Sequence, residues 1–313
     1  MATGRKLYIL MTTLLKPLWL LSILFLLLSG SIAQASEPET VLLYDTVTGR
    51  QVSLVELGER LTGYDVLLFG EYHDDDRLHR LEAAVLAAAC ARNPQLAVSL
   101  EMFERDVQPE LDRYLAGEIA ETVFLDRSRP WNNYTVAYRP LVELAKEKGL
   151  GVIAANIPRS VAAQYAREGS LDGVSEAMRQ YLPAVHRYPD GEYKQRFYTQ
   201  LQALPAQNSG MKVAPERLEA FYRAQCLKDD AMAESIARYY RQNPGRKIVH
   251  YQGDFHSRSR LGVAEKLQAL EPAVKILVIA PYYAADFTDL PAQARHLRAD
   301  ADIIAFLPPP GKQ

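Results

Sequence analysis

VLLFGEYHDDD, residues 66–76, runs four apolar residues into Gly70 and then places Glu71 and His73 just beyond it. IVHYQGDFHSR, residues 248–258, repeats the pattern with an apolar run, Gly253, Asp254, an aromatic residue and His256. Short apolar runs that stop at glycine read as buried strands. If the two strands are parallel, both acid–histidine pairs come to one edge of one sheet. That edge, beyond the carboxyl ends of the strands, is where open α/β sheets bind ligands.

The segments between these runs support the parallel arrangement. DDDRLHRLEAAVLAAACARN reads as a helix with acids at its start and Leu78, Leu81, Val85 and Ala88 on its inward stripe. LAVSLEMF (96–103) is the next strand, RPLVELAKEKGL a helix and GVIAAN (151–156) a third strand. Strands alternating with helices predict an α/β fold with a largely parallel sheet flanked by helices. VLLYDTVTGRQVSLVEL reads as a strand, a turn and a second short strand ahead of this core. Residues 157–245 break the rhythm and form a helical insertion between the third and fourth core strands. It ends in one long helix, PERLEAFYRAQCLKDDAMAESIARYYRQN. VKILVIAP and ADIIAFLP extend the sheet.

Residues 1–35 read as a signal peptide. Arg5, Lys6 and Lys16 precede PLWLLSILFLLLSG, and SIAQAS supplies an A-x-A site, so cleavage is expected near Ala35. The apolar run is shorter than the ~20 residues of a spanning helix. The mature protein, residues 36–313 as a single domain, is therefore expected in the periplasm or secreted, and not as an integral membrane protein. With 36 basic and 38 acidic side chains the chain carries no general footprint for nucleic acid. Cys90 and Cys226 lie in helical segments and read either as free thiols or as a disulfide.

Candidate chemistry gathers at the strand ends. Glu71, His73, Glu101 and His256 are the catalytic candidates, and His73, Glu101 and His256 could equally ligate a divalent metal. A metal-free acid/base site, with a carboxylate orienting each histidine, remains open beside it. Asn156 and Arg159 follow the third strand. Gln225 and Asp229 fall on the apolar stripe of the long helix, where polar groups need partners. Tyr138 and Arg139, next to Trp131 and Tyr134, form an aromatic and cationic cluster suited to a flat anionic ligand. His79, His186, His250 and His296 read as structural or surface residues. Zincin, serine hydrolase, P-loop and dinucleotide motifs are absent from the sequence.

GEYHDD, SLEMF, AANIPR, YRAQCLKDDAMAESI and GDFHSRSRLGV, in that order, resemble the ChaN-like family of haem-binding, iron-uptake-associated proteins. That family lies within a group that resembles erythromycin esterases and the Tiki/TraB metalloproteases. The resemblance implies haem as a cofactor, bound non-covalently because no C-x-x-C-H site is present. It implies a tyrosine on the iron, for which Tyr138 is the candidate, with Arg139, Asn156, Arg159 and Gln225 as further cofactor-binding candidates. It places the paired motifs Gly70-Glu-Tyr-His73 and Gly253-Asp-Phe-His256, with Glu101, at an active centre. A hydrolase using these pairs and a non-catalytic binding or assembly module stand as alternatives. A flat ligand at an aromatic surface could be shared across a homodimer.

Overall fold

Alternating apolar strands and amphipathic helices build one seven-stranded sheet with helices on both faces. The computed structural model describes residues 41–203 and 214–311; the expected signal segment lies outside the described residues. In chain order the elements are β1 (Leu42–Asp45), α1 (Leu54–Leu61), β2 (Val66–Glu71), α2 (Asp76–Arg92), β3 (Ala97–Glu104), α3 (Gln108–Leu115), α4 (Glu121–Ser128), α5 (Tyr134–Ala137) and α6 (Arg139–Lys148). There follow β4 (Gly151–Asn156), α7 (Arg159–Glu168), α8 (Glu176–Arg179), α9 (Glu192–Ala203), α10 (Pro215–Gln242), β5 (Ile248–Gly253), α11 (Val263–Leu270), β6 (Ile276–Tyr283), α12 (Leu290–His296) and β7 (Ile303–Leu307). No described helix is long and apolar enough to cross a membrane.

The strands lie in the order β1-β7-β6-β2-β5-β3-β4. All neighbours are parallel except β1, which pairs antiparallel with β7 at the edge. β5 enters late in the chain yet sits between β2 and β3, so the ends of β2, β5 and β3 stand side by side. Glu71 is in register with Gly253, and Leu100 with Tyr251. Side chains alternate across the pleat. Leu67 and Phe69 enter the core with α2 and α6, whereas Val66 and Leu68 meet Met232 and Ile236 of α10 on the other face. β3 also bulges. Leu100 opposes Ala154, but Glu104 opposes Asn156, so the register slips over the intervening residues. A bulge re-aims the side chains it carries, and Glu101 lies in it.

One expectation changes and one alternative is decided. The second short strand near 51–57 is α1, because the Ser53 side chain caps it by accepting from the Glu56 amide at 3.1 Å. Leu57 and Leu61, at helical spacing, are the residues it buries. Cys90 and Cys226 are both free thiols. The insertion is helical as expected. Its long helix α10 runs back against the strand direction, packs the sheet through Met232 and Ile236, and reaches the strands' carboxyl edge with Gln225 and Asp229.

The two motif glycines have a different cause from a simple turn, since neither adopts a positive φ. A Cβ on Gly70 would lie 2.9 Å from the Cα of Asp254, and a Cβ on Gly253 would lie 2.8 Å from Nε2 of His73. Each motif's glycine is thus the space into which the other motif packs. Gly70→Ala meets backbone, which cannot step aside, and is expected to cost about 1–3 kcal/mol or more through overpacking. Gly253→Ala meets a side chain and should cost less stability while displacing His73. Urea denaturation of both variants checks the order; a Gly253→Ala protein less stable than Gly70→Ala would contradict this account.

Candidate functional site

At the end of β2, Glu71 is buried and its Oε1 does two things. It sits 2.6 Å from Nδ1 of His73 and accepts a hydrogen bond from the Tyr138 hydroxyl at 2.7 Å. His73 is held further by Asn133, which donates to its carbonyl at 3.0 Å, and by the edge of Trp131, with ring centroids 4.9 Å apart. With Nδ1 fixed by a carboxylate, Nε2 is the ring atom left for chemistry. Burial lowers the basicity of His73, but the Glu71 hydrogen bond and the charge of Glu101 outweigh it and raise its pKa.

At the end of β5 a single 3-10 turn, Asp254–His256, brings His256 back over the edge. Its Nδ1 lies 2.5 Å from Asp229 of α10, and its Nε2 lies 3.3 Å from Glu101 Oε1. The other Asp229 oxygen accepts from the Tyr193 hydroxyl at 2.7 Å. The Gln225 amide nitrogen is 3.2 Å from both ring nitrogens of His256, so it lies across the ring and not in line with either one. Arg258 clamps the turn: its guanidinium donates to Asp254, Asp300 and the Pro281 carbonyl. Glu101 stands between the two histidines, accepting from the Gly253 amide at 2.8 Å. Burial penalises its charge, yet His256 and His73 hold the carboxyl far below the ordinary range. The reciprocal effect on His256 wins over burial: Glu101 and Asp229 push it up to about 10.

These groups open into a cleft of about 840 Å³. Trp131, Phe197, Phe255 and Tyr282 supply aromatic wall, and Arg196, Lys228 and Arg258 supply positive charge. Arg196 lies over the Phe255 ring, 5.6 Å from its centroid.

The structure therefore brings Glu71, His73, Glu101, His256 and Gln225 to one cleft. The other expected site residues stand elsewhere. Tyr138 is fully buried behind Glu71 and does not line the cleft. Burial and the neighbouring Glu71 charge push its phenol far above the ordinary value. Arg139 forms a two-bonded pair with Glu121 away from the cleft. Arg159 pairs with Glu104 and donates to the Arg129 carbonyl. Asn156 is buried and donates to the Glu101 carbonyl at 3.1 Å, so it shapes the bulge and does not reach the cleft. The expected metal set, His73, Glu101 and His256, shares the cleft without drawing all its ligand atoms within 4.8 Å of one another. Among the described residues the group that does so is Glu71, His79 and Glu82.

By sequence His79 reads as a structural or surface residue, and Glu82 is not singled out. The signal was present: Glu82 falls between Leu78 and Val85 on the inward stripe of α2, where a charge needs an explanation as much as Gln225 and Asp229 do on α10. His250, by contrast, is the structural residue expected, fully buried between Ser99 and Gln252.

A family model described as haem-binding uptake, Tiki superfamily, ChaN, matches residues 57–267. The chain belongs to the ChaN family. Among solved structures this ChaN-family protein is similar to ChaN of Campylobacter jejuni, described with cofacial haem binding, at 20% identity over 84% of this chain and 95% of that one, with a TM-score of 0.61. Likeness at that identity is one of fold. An erythromycin esterase, EreC, in its open conformation is similar at 15% identity over 76% of each chain, with a TM-score of 0.45. No curated protein sequence matches the chain.

The electrostatics of His256 give a pH dependence. An unfolded-chain histidine titrates near about 6.5, whereas the folded group titrates at about 10. Between those values the folded state keeps a proton that the unfolded state releases. The stability His256 contributes is complete below about pH 6.5 and is lost as pH rises through about 10. Melting temperatures should fall across that alkaline window, and His256→Gln should remove most of the fall. The same slope in the variant would show that His256 is not its source.

Proposed function

We propose that the cleft binds haem non-covalently and that the protein handles haem or iron outside the cytoplasm. Membership of a haem-binding uptake family supports the ligand class, and the signal-like segment at residues 1–35 supports the location. The observation that carries the reading to this chain is the setting of His73. Its side chain is 40% exposed, its Nδ1 is held by Glu71, and it faces a cleft with aromatic walls and cationic side chains. A porphyrin needs flat apolar contact, cations for its two carboxylates and a donor for the iron, and all three are in that cleft. Trp131, Phe197 and Phe255 would meet the macrocycle, Arg196 and Lys228 the propionates, and His73 the iron. A carboxylate behind an iron-bound imidazole fixes its tautomer and strengthens it as a donor. The bound iron would supply the redox and ligand-exchange chemistry.

Hemin titrated into the protein should give a shifted Soret band. His73→Ala should weaken binding by about tenfold or more and move the band. Tyr138→Phe should keep the native band position, because that phenol bonds Glu71 and lies behind the cleft. A hemin titration with no spectral change would overturn the haem reading. An unchanged band in His73→Ala would pass the iron to another donor such as Tyr282.

One observation favours a second reading, hydrolysis of an ester or amide. Two imidazoles, each fixed at Nδ1 by a buried carboxylate, stand on either side of Glu101. His256, held protonated by Glu101 and Asp229, could polarise a bound carbonyl, and Glu101 is what keeps it charged. Turnover of small aryl esters by the native protein, lost in Glu101→Gln, would establish this; equal background rates in both would remove it.

A further inference from the structure

We propose that Glu71, His79 and Glu82 hold a first-row divalent cation of the zinc class in a buried site behind the cleft. The three residues are 2%, 4% and 0% exposed, and their ligand atoms all lie within 4.8 Å of one another. Their polar atoms are also orphans. Glu71 Oε2, both nitrogens of His79 and both carboxylate oxygens of Glu82 are buried without a hydrogen-bond partner. Buried polar atoms are nearly always satisfied, and one ligand atom from each of three such residues gathered within 4.8 Å marks a missing partner.

The geometry says what kind of partner. His79 Nε2 lies 3.3 Å from Glu71 Oε2, yet the two are not aligned as a hydrogen bond. Zinc bonds of about 2.0–2.1 Å around a tetrahedron place neighbouring ligand atoms about 3.3–3.4 Å apart. That separation without hydrogen-bond alignment is what two ligands of one ion show. The charge agrees. Two carboxylates and a neutral imidazole make a site of charge −2, which a divalent cation neutralises. One imidazole with two carboxylates suits zinc, manganese or ferrous iron, whereas calcium and magnesium prefer all-oxygen shells.

The surroundings are those of a metal site. Glu71 divides its labour: Oε1 serves Tyr138 and His73, and Oε2 turns inward. The Tyr138 ring packs edge-on to His79, with centroids 5.4 Å apart, and sets the imidazole plane. Such outer contacts orient ligands and are part of how a site selects its ion. The ion thereby sits one carboxylate behind His73 and holds Glu71 in place. The inference does not depend on haem binding.

The test is elemental analysis of protein purified without chelators or metal-affinity resin from zinc-supplemented medium. Native protein should carry about one divalent ion per chain. His256→Gln should keep it, and Glu82→Gln and His79→Gln should fall to background. If those two variants fail to fold, native protein refolded with zinc or with a strong chelator decides the matter, because only the zinc sample should regain the native melting temperature. Metal-free native protein whose melting temperature ignores zinc would overturn the proposal and leave a proton shared by Glu71 and Glu82. Metal retained in Glu82→Gln but lost in His256→Gln would also overturn it, placing the ion in the cleft. Hemin titration of the folded variants is read separately, by the Soret band.

Discussion

The close approach of two strand ends is the constraint on which the site depends. β2 and β5 are neighbours in register up to Glu71 and Gly253. Beyond that pair the chain must turn at once, and each turn occupies the volume where the other motif's glycine has no side chain. The exclusion is reciprocal: Asp254 backbone against Gly70, His73 ring against Gly253. Neither strand end can relax without the other. The two histidines are therefore delivered to the cleft by close packing, which tolerates little movement.

Packing alone would leave the site electrostatically costly. Four carboxylates, Glu71, Glu82, Glu101 and Asp229, are buried at one end of one sheet. Glu101 and Asp229 are held by His256, and Glu71 by His73 and the Tyr138 hydroxyl. Each imidazole is thus oriented by a carboxylate that raises its basicity, and the imidazoles in turn keep Glu71 and Glu101 ionised. On the inner side both carboxylate oxygens of Glu82 lack such a partner, and the cation proposed above would supply one.

Several parts of this were legible in residue order. Apolar runs ending at glycine marked β2 and β5, and helix–strand alternation marked a parallel sheet, because burial on both faces demands continuous apolar strands. Gln225 and Asp229 were legible as polar residues on an apolar stripe. Glu82 carries the same mark on α2. Tyr138, Arg139 and Arg159 show the opposite case. Their types suit a ligand, but residue type does not say which way a side chain turns. Tyr138 turns under the sheet edge to Glu71, Arg139 to Glu121 and Arg159 to Glu104.

Sequence by itself determined the α/β class, the helical insertion and the convergence of two acid–histidine motifs, since these follow from periodicity and from the geometry of parallel strands. Tertiary structure alone decided which acid serves which histidine, that Asn156 braces the bulge beneath Glu101, and that Glu71 stands between an open cleft and a buried pocket. Those facts depend on distances of a few ångströms between residues remote in the chain. Local pattern carries no information about such distances, because they are set by how whole layers pack.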